Sequence, residues 1–360
     1  MNIAIYGAQG IALGVYKALK ELHQEINVLG FIVTEIENNP SNLDGILVYK
    51  LSDFASEMTL EEKENVLVLI ATPENAMEEI EENLDLVKMR NHVRIDAVRW
   101  AKMQELRFTK NGEFNSINTY PVGSKMPLLN IYKVIHHKDK SLQMNFSNPN
   151  YMTSLQVGAA NTDIRVGELT DDLNDNISLK NGNYSELTGL YWIWKNRLRT
   201  KAEDKGAYTG MVHYRRLFDI TEDNILTLMD NDIDVVLPYP MPYEPDIEEH
   251  HKRYLSDNEW NSVLEALKEL DLENYDEYMK ILKQGYLYNY NIIIAKDNVL
   301  GEYCSWLFPI LFRTEQINNE GVEKKPNRYI GYIAETLETL YFMRNKDKLK
   351  IAHMGYRFLT

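Results

Sequence analysis

The chain has 360 residues, of which 44% are hydrophobic and 26% are charged, and its formal charge at pH 7 is −15. These ordinary globular proportions exclude a mainly disordered chain, and the length favours two domains over one large domain. The acidic total argues against a nucleic acid partner, because binding a phosphate backbone requires Lys and Arg to displace its counterions. A single cysteine, Cys304, excludes an intrachain disulfide and a cysteine-rich zinc site.

The sequence predicts a cytoplasmic protein. No stretch approaches the roughly 18–20 apolar residues that a membrane-spanning helix needs. The N-terminus, Met1–Tyr6, lacks the basic region of a signal peptide and resembles a strand. Peripheral association with the inner face of the cell membrane stays open, because a local basic patch can act despite an acidic total.

Residues 1–125 alternate between strand-like and helix-like runs. Asn2–Tyr6 predicts a strand and Ile11–Leu22 a helix. The alternation continues, with strands predicted at Asn27–Thr34, Ile46–Tyr49 and Val66–Ala71 and a helix at Glu74–Val87. Such alternation is typical of a parallel, doubly wound sheet. The predicted fold class is therefore α/β, with an N-terminal Rossmann-like domain at 1–125 that ends in the turn-rich segment Asn111–Pro127.

Three glycines lie near the start of the first predicted helix. Gly7 and Gly10 lie between the first predicted strand and this helix, and Gly14 lies in the first turn of the helix. Glycines there let the backbone approach a phosphate at a helix N-terminus, and Glu35 stands near the place of an acidic residue that would contact a ribose. The spacing differs from G-x-G-x-x-G, and a tight strand-to-helix turn needs glycine in any case. A bound nucleotide fragment and a purely structural turn both stay open.

Residues 126–360 predict a second, mixed α/β domain. The predicted strands are Leu129–Ile135, Tyr208–Val212, Asp234–Leu237 and Tyr288–Ala295. The predicted helices are Tyr184–Arg199, Asn258–Leu270, Tyr275–Lys283, Leu300–Phe312 and Ile330–Phe342. Polar loops are concentrated between the strands, which is where α/β proteins place their binding residues.

The polar motifs of this second domain each have two interpretations. His213-Tyr214-Arg215-Arg216 follows a buried strand, where an arginine fork suits a diphosphate, although a structural ion pair is the alternative. Asp232 and Asp234 form a D-x-D that precedes its strand, so a solvated turn is favoured over a metal site. Adjacent histidines, such as His136-His137, face opposite sides of a strand and do not chelate a metal as a pair.

Two segments resemble a known family. Tyr184–Asn196 reads Y-S-E-L-T-G-L-Y-W-I-W-K-N, and Tyr208–Phe218 reads Y-T-G-M-V-H-Y-R-R-L-F. These segments resemble a bacterial glycosyltransferase family of capsular, exopolysaccharide and O-antigen clusters, formerly a domain of unknown function, with an E-L-T-x-L-Y-W-x-W-K-N helix and an H-Y-R-R strand end. The resemblance spans about residues 128–353 and includes Leu155–Ala160, Asp175–Ser178, Gly285–Asn289, Tyr303–Phe308 and Arg328–Leu337. Relatives commonly read G-x-x-x-E-R-L where this chain has Gly331–Leu337, with Thr336 in place of the arginine.

The resemblance implies a GT-A-like fold for residues 126–360 and transfer of a hexose from a UDP-sugar, with galactofuranose, galactose and glucose as candidates. The acceptor would be a growing, lipid-linked repeat unit. The H-Y-R-R motif stands where a metal-binding D-x-D normally follows in such enzymes, so its arginines would replace or supplement Mg²⁺ or Mn²⁺. The donor-binding residues expected on these motifs are His136, Gln156, Gly158, Asn176, Lys180, Glu186, His213, Arg215, Arg216, Asn289 and Arg328.

The catalytic base is expected to be Glu335, since it lies in an apolar helical run where burial would raise its pKa. His251 and Asp175 are the alternatives, and an ion-pair or capping role for Glu335 also stays open. Two other functions compete with glycosyl transfer. One is an NAD(P)-dependent sugar-nucleotide enzyme with a catalytic first domain, and the other is a non-catalytic sugar-nucleotide-binding protein.

Overall fold

Strands and helices alternate along the first third of the chain. The computed structural model describes residues 1–142, 146–198, 206–319 and 327–359. Its first elements are β1 (Asn2–Tyr6), α1 (Gly10–Leu22), β2 (Asn27–Val33), β3 (Asn42–Leu43), β4 (Ile46–Lys50), α2 (Leu51–Ser56), α3 (Leu60–Asn65), β5 (Leu67–Ile70), α4 (Met77–Leu86), β6 (His92–Arg94) and α5 (Ala97–Asn111).

The first six strands form one sheet in the order β3-β4-β2-β1-β5-β6. All its pairs are parallel except β3 with β4. The strands β1 and β5 are apolar along most of their length, as strands covered on both faces by helices are. This is the predicted Rossmann-like sheet, and its order changes direction at β1, next to the glycine turn.

Eleven more strands and eight more α-helices follow in the described part of the chain. The strands are β7 (Leu128–Ile135), β8 (Met152–Gln156), β9 (Leu169–Thr170), β10 (Ala207–His213), β11 (Arg216–Phe218), β12 (Val235–Pro238), β13 (Met241–Pro242), β14 (Tyr286–Leu287), β15 (Ile293–Lys296), β16 (Ile351–Met354) and β17 (Tyr356–Phe358). The helices are α6 (Asn181–Tyr184), α7 (Leu187–Asn196), α8 (Glu222–Asp230), α9 (Ile247–His251), α10 (Asp257–Leu270), α11 (Tyr275–Leu282), α12 (Asp297–Asn318) and α13 (Tyr329–Arg344).

Seven strands form the second sheet, in the order β16-β12-β15-β10-β7-β8-β9. The strand β15 is antiparallel to both of its neighbours, and the other pairs are parallel. The carboxyl ends of β7, β8 and β10 therefore lie at one edge of the sheet, with His213 paired to Val134. The predicted α/β fold class is confirmed.

Two compact units contain these elements. The first comprises Met1–Phe114 with Met241–Glu244 and Gly355–Phe358, and the second comprises the remainder. Residues 115–125, which the sequence assigned to the first domain, belong to the second unit. Their contacts explain this, because the backbone N–H of Ser124 donates to Asp230 and the side chain of Asn224 donates to Asn118.

Two predicted elements differ from the structure for the same reason. The predicted helix at Tyr184–Arg199 is interrupted, since Ser185 has φ 49° and separates α6 from α7; residue 199 lies outside the described part of the chain. The predicted strand at Tyr288–Ala295 begins only at Ile293, because Tyr290 and Asn291 have positive φ. Within the described residues, no helix is long and apolar enough to cross a membrane.

Candidate active site

The second sheet changes direction between β7 and β10. From β7 the chain proceeds outward through β8 and β9, and β10 then pairs on the other side of β7. In open α/β sheets, ligands bind outside the carboxyl ends of the strands at such a switch point. His136 follows β7 and His213 ends β10, so the predicted motifs stand at the expected place.

The turn after β7 holds a half-buried histidine and a carboxyl group. The backbone N–H of His136 donates to Asp139 Oδ2 over 2.7 Å. Burial lowers the pKa of His136, and the neighbouring His137 lowers it further. Burial raises the pKa of Asp139, against the opposing effects of the His136 N–H and of the charges of Arg215 and Arg328.

The turn after β8 is fixed by a carboxylate that sequence reasoning missed. Asp171 is fully buried and accepts from the backbone N–H groups of Gly158 and Ala159 over 2.9 and 3.0 Å. Gly158 has φ 65°, and a Cβ there would lie 2.8 Å from Asn181. Gln156 is also buried, and its amide accepts from Val166 N and donates to Ile164 O. Both predicted donor-binding residues thus shape the loops at this edge, and direct donor contact by either stays a prediction.

The H-Y-R-R motif brings cations to the same edge. His213 Nε2 lies 3.9 Å from Glu186 Oε1, and burial lowers the pKa of His213. The guanidinium of Arg216 lies 4.2 Å from the centre of the Tyr290 ring, which is within the range of a cation–π contact. The charges of Arg216 and Arg328 both act on His213, so the structure brings together two of the predicted arginines.

Two glutamates lie beside these arginines. Glu186 precedes α7, and Glu335 lies in α13. Burial raises the pKa of Glu335 to about 8, and the negative charge of Glu186 adds to the increase. The N–H of Tyr290 and the charges of Arg216 and Arg328 act in the opposite direction. Glu335 is therefore a partly buried carboxyl group that is tuned towards neutral pH, as a proton-transferring group needs to be.

A third carboxyl group lies one helical turn further along α13. Glu338 is 1% exposed, and burial raises its pKa well above the usual range. Its Oε2 atom has no hydrogen-bond partner among the residues that the structure describes. The negative charges of Glu335 and Glu186 add to this increase in the pKa of Glu338.

Arg328 stands at the start of α13 in a left-handed conformation, with φ 65°. Its Nε donates to Ser185 Oγ over 3.1 Å, which connects it to the break between α6 and α7. Since its charge acts on His136, Asp139 and Glu335, it faces the turn after β7 as well as the glutamates.

The remaining predicted donor-binding residues are Asn289, Asn176 and Lys180. Asn289 directly precedes the Tyr290–Asn291 turn. Asn176 bonds within its own loop, where its side chain donates to Asp172 O and Asn174 O. Lys180 donates to Glu315 over 2.6 Å. For Asn176 and Lys180 these contacts give a structural role, and their predicted donor contacts stay predictions.

The two alternative bases lie in different surroundings. Asp175 is exposed and accepts from the Tyr191 hydroxyl over 3.1 Å, on the outer side of α7. His251 is stacked flat on Trp260, with ring centres 3.8 Å apart, and burial lowers its pKa. The neighbouring Tyr254, which sequence reasoning missed, is the closer candidate for a site residue, because it stacks on Tyr332 of α13 and the charge of Glu335 acts on it.

The D-x-D is part of an ion-pair group. Lys296 Nζ donates to Asp232 and to Asp234, the latter over 2.8 Å, and the backbone N–H of Lys350 donates to Asp234. The pair stands before β12, at the edge opposite the arginines. In the described part of the chain, no group of three or more His, Cys, Asp or Glu side chains is arranged to hold a metal ion.

Backbone conformation and packing explain why glycines stand at the turn between β1 and α1. Gly7 has φ 121°, and a Cβ at Gly10 or Gly14 would lie 2.6 Å from Met241 or 2.7 Å from Trp100. Met241 and Pro242 thus cover the start of α1, where a phosphate would have to approach. These contacts favour the structural interpretation of the turn, and ligand binding there stays a prediction.

Comparison with known proteins agrees with this architecture. The sequence of residues 130–346 matches the family described as DUF4422, a domain of unknown function, and the chain belongs to that family. Among solved structures, the apo form of WbbM, a bifunctional glycosyltransferase, matches with a TM-score of 0.55 and 25% identity over 65% of this chain. The match covers 45% of the WbbM chain, so this chain spans less than half of that protein. No curated protein matches.

Proposed function

We propose that this protein is a glycosyltransferase of GT-A-like fold, which moves a hexose from a UDP-sugar to a growing polysaccharide repeat unit. The observation that carries the proposal is the convergence of Arg216, Arg328 and the tuned carboxyl group of Glu335 at the carboxyl edge of the second sheet. The structural likeness to a bifunctional glycosyltransferase supports the class of reaction. Galactofuranose, galactose and glucose are the candidate sugars, and a lipid-linked acceptor at the inner face of the membrane is the proposed partner.

In the proposed reaction, an acceptor hydroxyl attacks the anomeric carbon of the donor. The bond from that carbon to the phosphate oxygen breaks, and UDP leaves with the electron pair. Arg215, Arg216 and Arg328 stabilise the negative charge that develops on the diphosphate, as fixed cations do in such sites. We derive no step through a metal ion, and these arginines would replace or supplement one.

Glu335 takes the proton of the acceptor hydroxyl in an inverting transfer. Its pKa of about 8 makes it a stronger base than an ordinary glutamate, while a useful fraction is still deprotonated near neutral pH. Its working form is the carboxylate, so the transfer rate should rise as the pH increases towards about 8 and level off above it. A retaining transfer would not require a base at this place.

The proposal is tested by incubating the full chain with UDP-hexoses and GDP-hexoses and measuring nucleoside diphosphate release. Release of UDP from one UDP-hexose, increased by an acceptor and strongly reduced in Glu335→Gln, is the expected result. A change in NADH absorbance would instead favour the sugar-nucleotide oxidoreductase, and binding without turnover would favour a sugar-nucleotide-binding protein.

We further propose that the second unit carries the transfer chemistry and that the first unit is an accessory Rossmann-like module. The functional groups named above all lie in the second unit. The glycine turn of the first unit is explained by packing against Met241 and Trp100. Substitutions that disturb this turn should therefore alter stability without changing the donor preference.

A further inference from the structure

Two consecutive residues between β14 and β15 have left-handed backbone conformations. Tyr290 has φ 79° and Asn291 has φ 48°. Asparagine tolerates this region, whereas a bulky aromatic residue there is an outlier that costs free energy. Such strain persists only where the surroundings fix it, and it occurs most often at functional sites.

The turn contacts three groups of the proposed active site. The backbone N–H of Tyr290 donates to Glu335 Oε1 over 3.0 Å, and the Tyr290 ring lies against the guanidinium of Arg216. The side-chain amide of Asn291 donates to Glu186 Oε1 over 2.8 Å and to Gly331 O over 3.3 Å. Both acceptors require a donor, so the orientation of this amide is fixed by its partners.

We propose that Tyr290 and Asn291 form a positioning turn, which holds Glu186 and Glu335 at a fixed separation and aligns Arg216 beside them. This inference rests on the proposed function, because it assigns a task to the turn within the same site. Neither residue is taken to react with the substrate. They act through the two carboxyl groups and the arginine that they contact.

A purely structural turn would not require these side chains. Glycine or asparagine would adopt the same conformation with less strain than Tyr290, so the backbone conformation alone does not account for the ring, which contacts Arg216. Asn291 is 3% exposed, and its Oδ1 atom has no hydrogen-bond partner among the described residues. A buried amide oxygen without a partner costs free energy, and the amide is held in place by the two hydrogen bonds that its NH₂ group donates.

The protonation of Glu335 depends on the titratable and charged groups around it. These groups are Glu186 before α7, Arg216 in β11, Arg328 before α13, Glu338 on the same helix and the hydroxyl of Tyr254 after α9. Glu186 is the one that Asn291 holds directly. Its charge raises the pKa of Glu335, so releasing Glu186 should lower that pKa.

Asn291→Gly in the full chain tests the positioning role. Glycine accepts φ 48° without strain, so the turn and the fold should survive while the amide contacts are lost. The titration of Glu335 is followed by NMR of ¹³C-labelled glutamate carboxyl groups, and its signal is assigned by its absence in Glu335→Gln. We expect the midpoint to move to lower pH by at least about half a unit. An unchanged midpoint would overturn the positioning of Glu186.

Asn38→Gly is the matched control, because Asn38 is an exposed asparagine with φ 65° in the first unit. The control should leave the titration of Glu335 unchanged. If Asn38→Gly shifted the midpoint as much as Asn291→Gly does, the shift would reflect a general effect of the substitution, and the inference would fail.

Tyr290→Asn tests the second contact, since asparagine keeps the left-handed backbone and removes the ring. We expect the dissociation constant for UDP to rise roughly threefold or more, because Arg216 loses the ring against which it is aligned. If Tyr290→Asn bound UDP with the wild-type dissociation constant, Tyr290 would not align Arg216 for UDP binding. If wild-type protein neither bound UDP nor released it from any UDP-sugar, the proposed function would fail, and with it the alignment of Arg216. The titration of Glu335 would still decide whether Asn291 positions Glu186.

Discussion

Replacing Glu335 by glutamine should change how the stability of the protein depends on pH. The glutamine side chain would keep the shape of the glutamate and an oxygen that accepts from Tyr290 N–H, but it cannot ionise. In the wild type, burial raises the pKa of Glu335 from 4.5 to about 8, so the folded state retains a proton that the unfolded state releases. Stability therefore falls as the pH rises from about 4.5 to about 8, and the glutamine variant lacks this contribution.

The magnitude follows from the same values. One pKa unit corresponds to about 1.4 kcal/mol, so the full difference between 4.5 and about 8 sets an upper limit of about 5 kcal/mol. The side chain of Glu335 keeps part of its surface in contact with water, which reduces the effect, so we expect a difference of about 1–3 kcal/mol. The free energy of unfolding of the variant minus that of the wild type should therefore increase by this amount between about pH 5 and a pH above about 8.

Urea unfolding at about pH 5, 6.5 and 8.5 measures this difference directly. Glu265→Gln, at an outward-facing position in α10, is the matched control and should follow the wild-type pH dependence. The reasoning would be refuted if Glu335→Gln showed the same loss of stability over this pH range as the wild type, because the carboxyl group would then not be destabilised by its surroundings.

Three further substitutions separate binding, ion-pair and packing roles. Arg216→Ala should weaken UDP binding by about 1.5–3 kcal/mol in calorimetric titration while the fold survives, and unchanged affinity would remove this arginine from the donor site. Asp232→Asn should leave UDP affinity and turnover within about twofold of wild type, because Lys296 binds this carboxylate at the opposite edge of the sheet. A large loss of turnover would indicate that the D-x-D is part of the active site. Gly14→Ala should destabilise the protein by about 1–3 kcal/mol in urea unfolding, because the added Cβ lies 2.7 Å from Trp100, and wild-type stability would contradict that packing.

The sheets and the positions of several candidate site residues follow from sequence patterns. The central strand β10 is almost fully buried, and its apolar run predicts it at once. Because the H-Y-R-R motif comes directly after that run, the position of its arginines at the carboxyl edge is also predictable. The burial of Glu335 follows in the same way from the apolar residues around it in α13.

Contacts between distant residues were not predictable. Asn291 bonds to Glu186 across 105 positions, and Lys296 bonds to Asp234 across 62, so no local spacing indicates either pair. Tyr290 was included in the predicted strand Tyr288–Ala295, whereas the structure gives it a positive φ, which no residue pattern in this segment indicates. Asp171 bonds to Gly158 across 13 positions, so no local spacing indicates its role in the turn after β8.

The most direct test of glycosyl transfer is UDP release by the full chain from a panel of UDP-hexoses, measured with and without a lipid-linked acceptor, in wild type and Glu335→Gln. We expect one UDP-hexose to be consumed, with a rate that rises towards about pH 8 in the wild type and is strongly reduced in the variant, while both proteins bind UDP alike. Wild-type transfer by Glu335→Gln would contradict the role of this glutamate as the base, and the absence of UDP release from every donor would contradict the proposed activity.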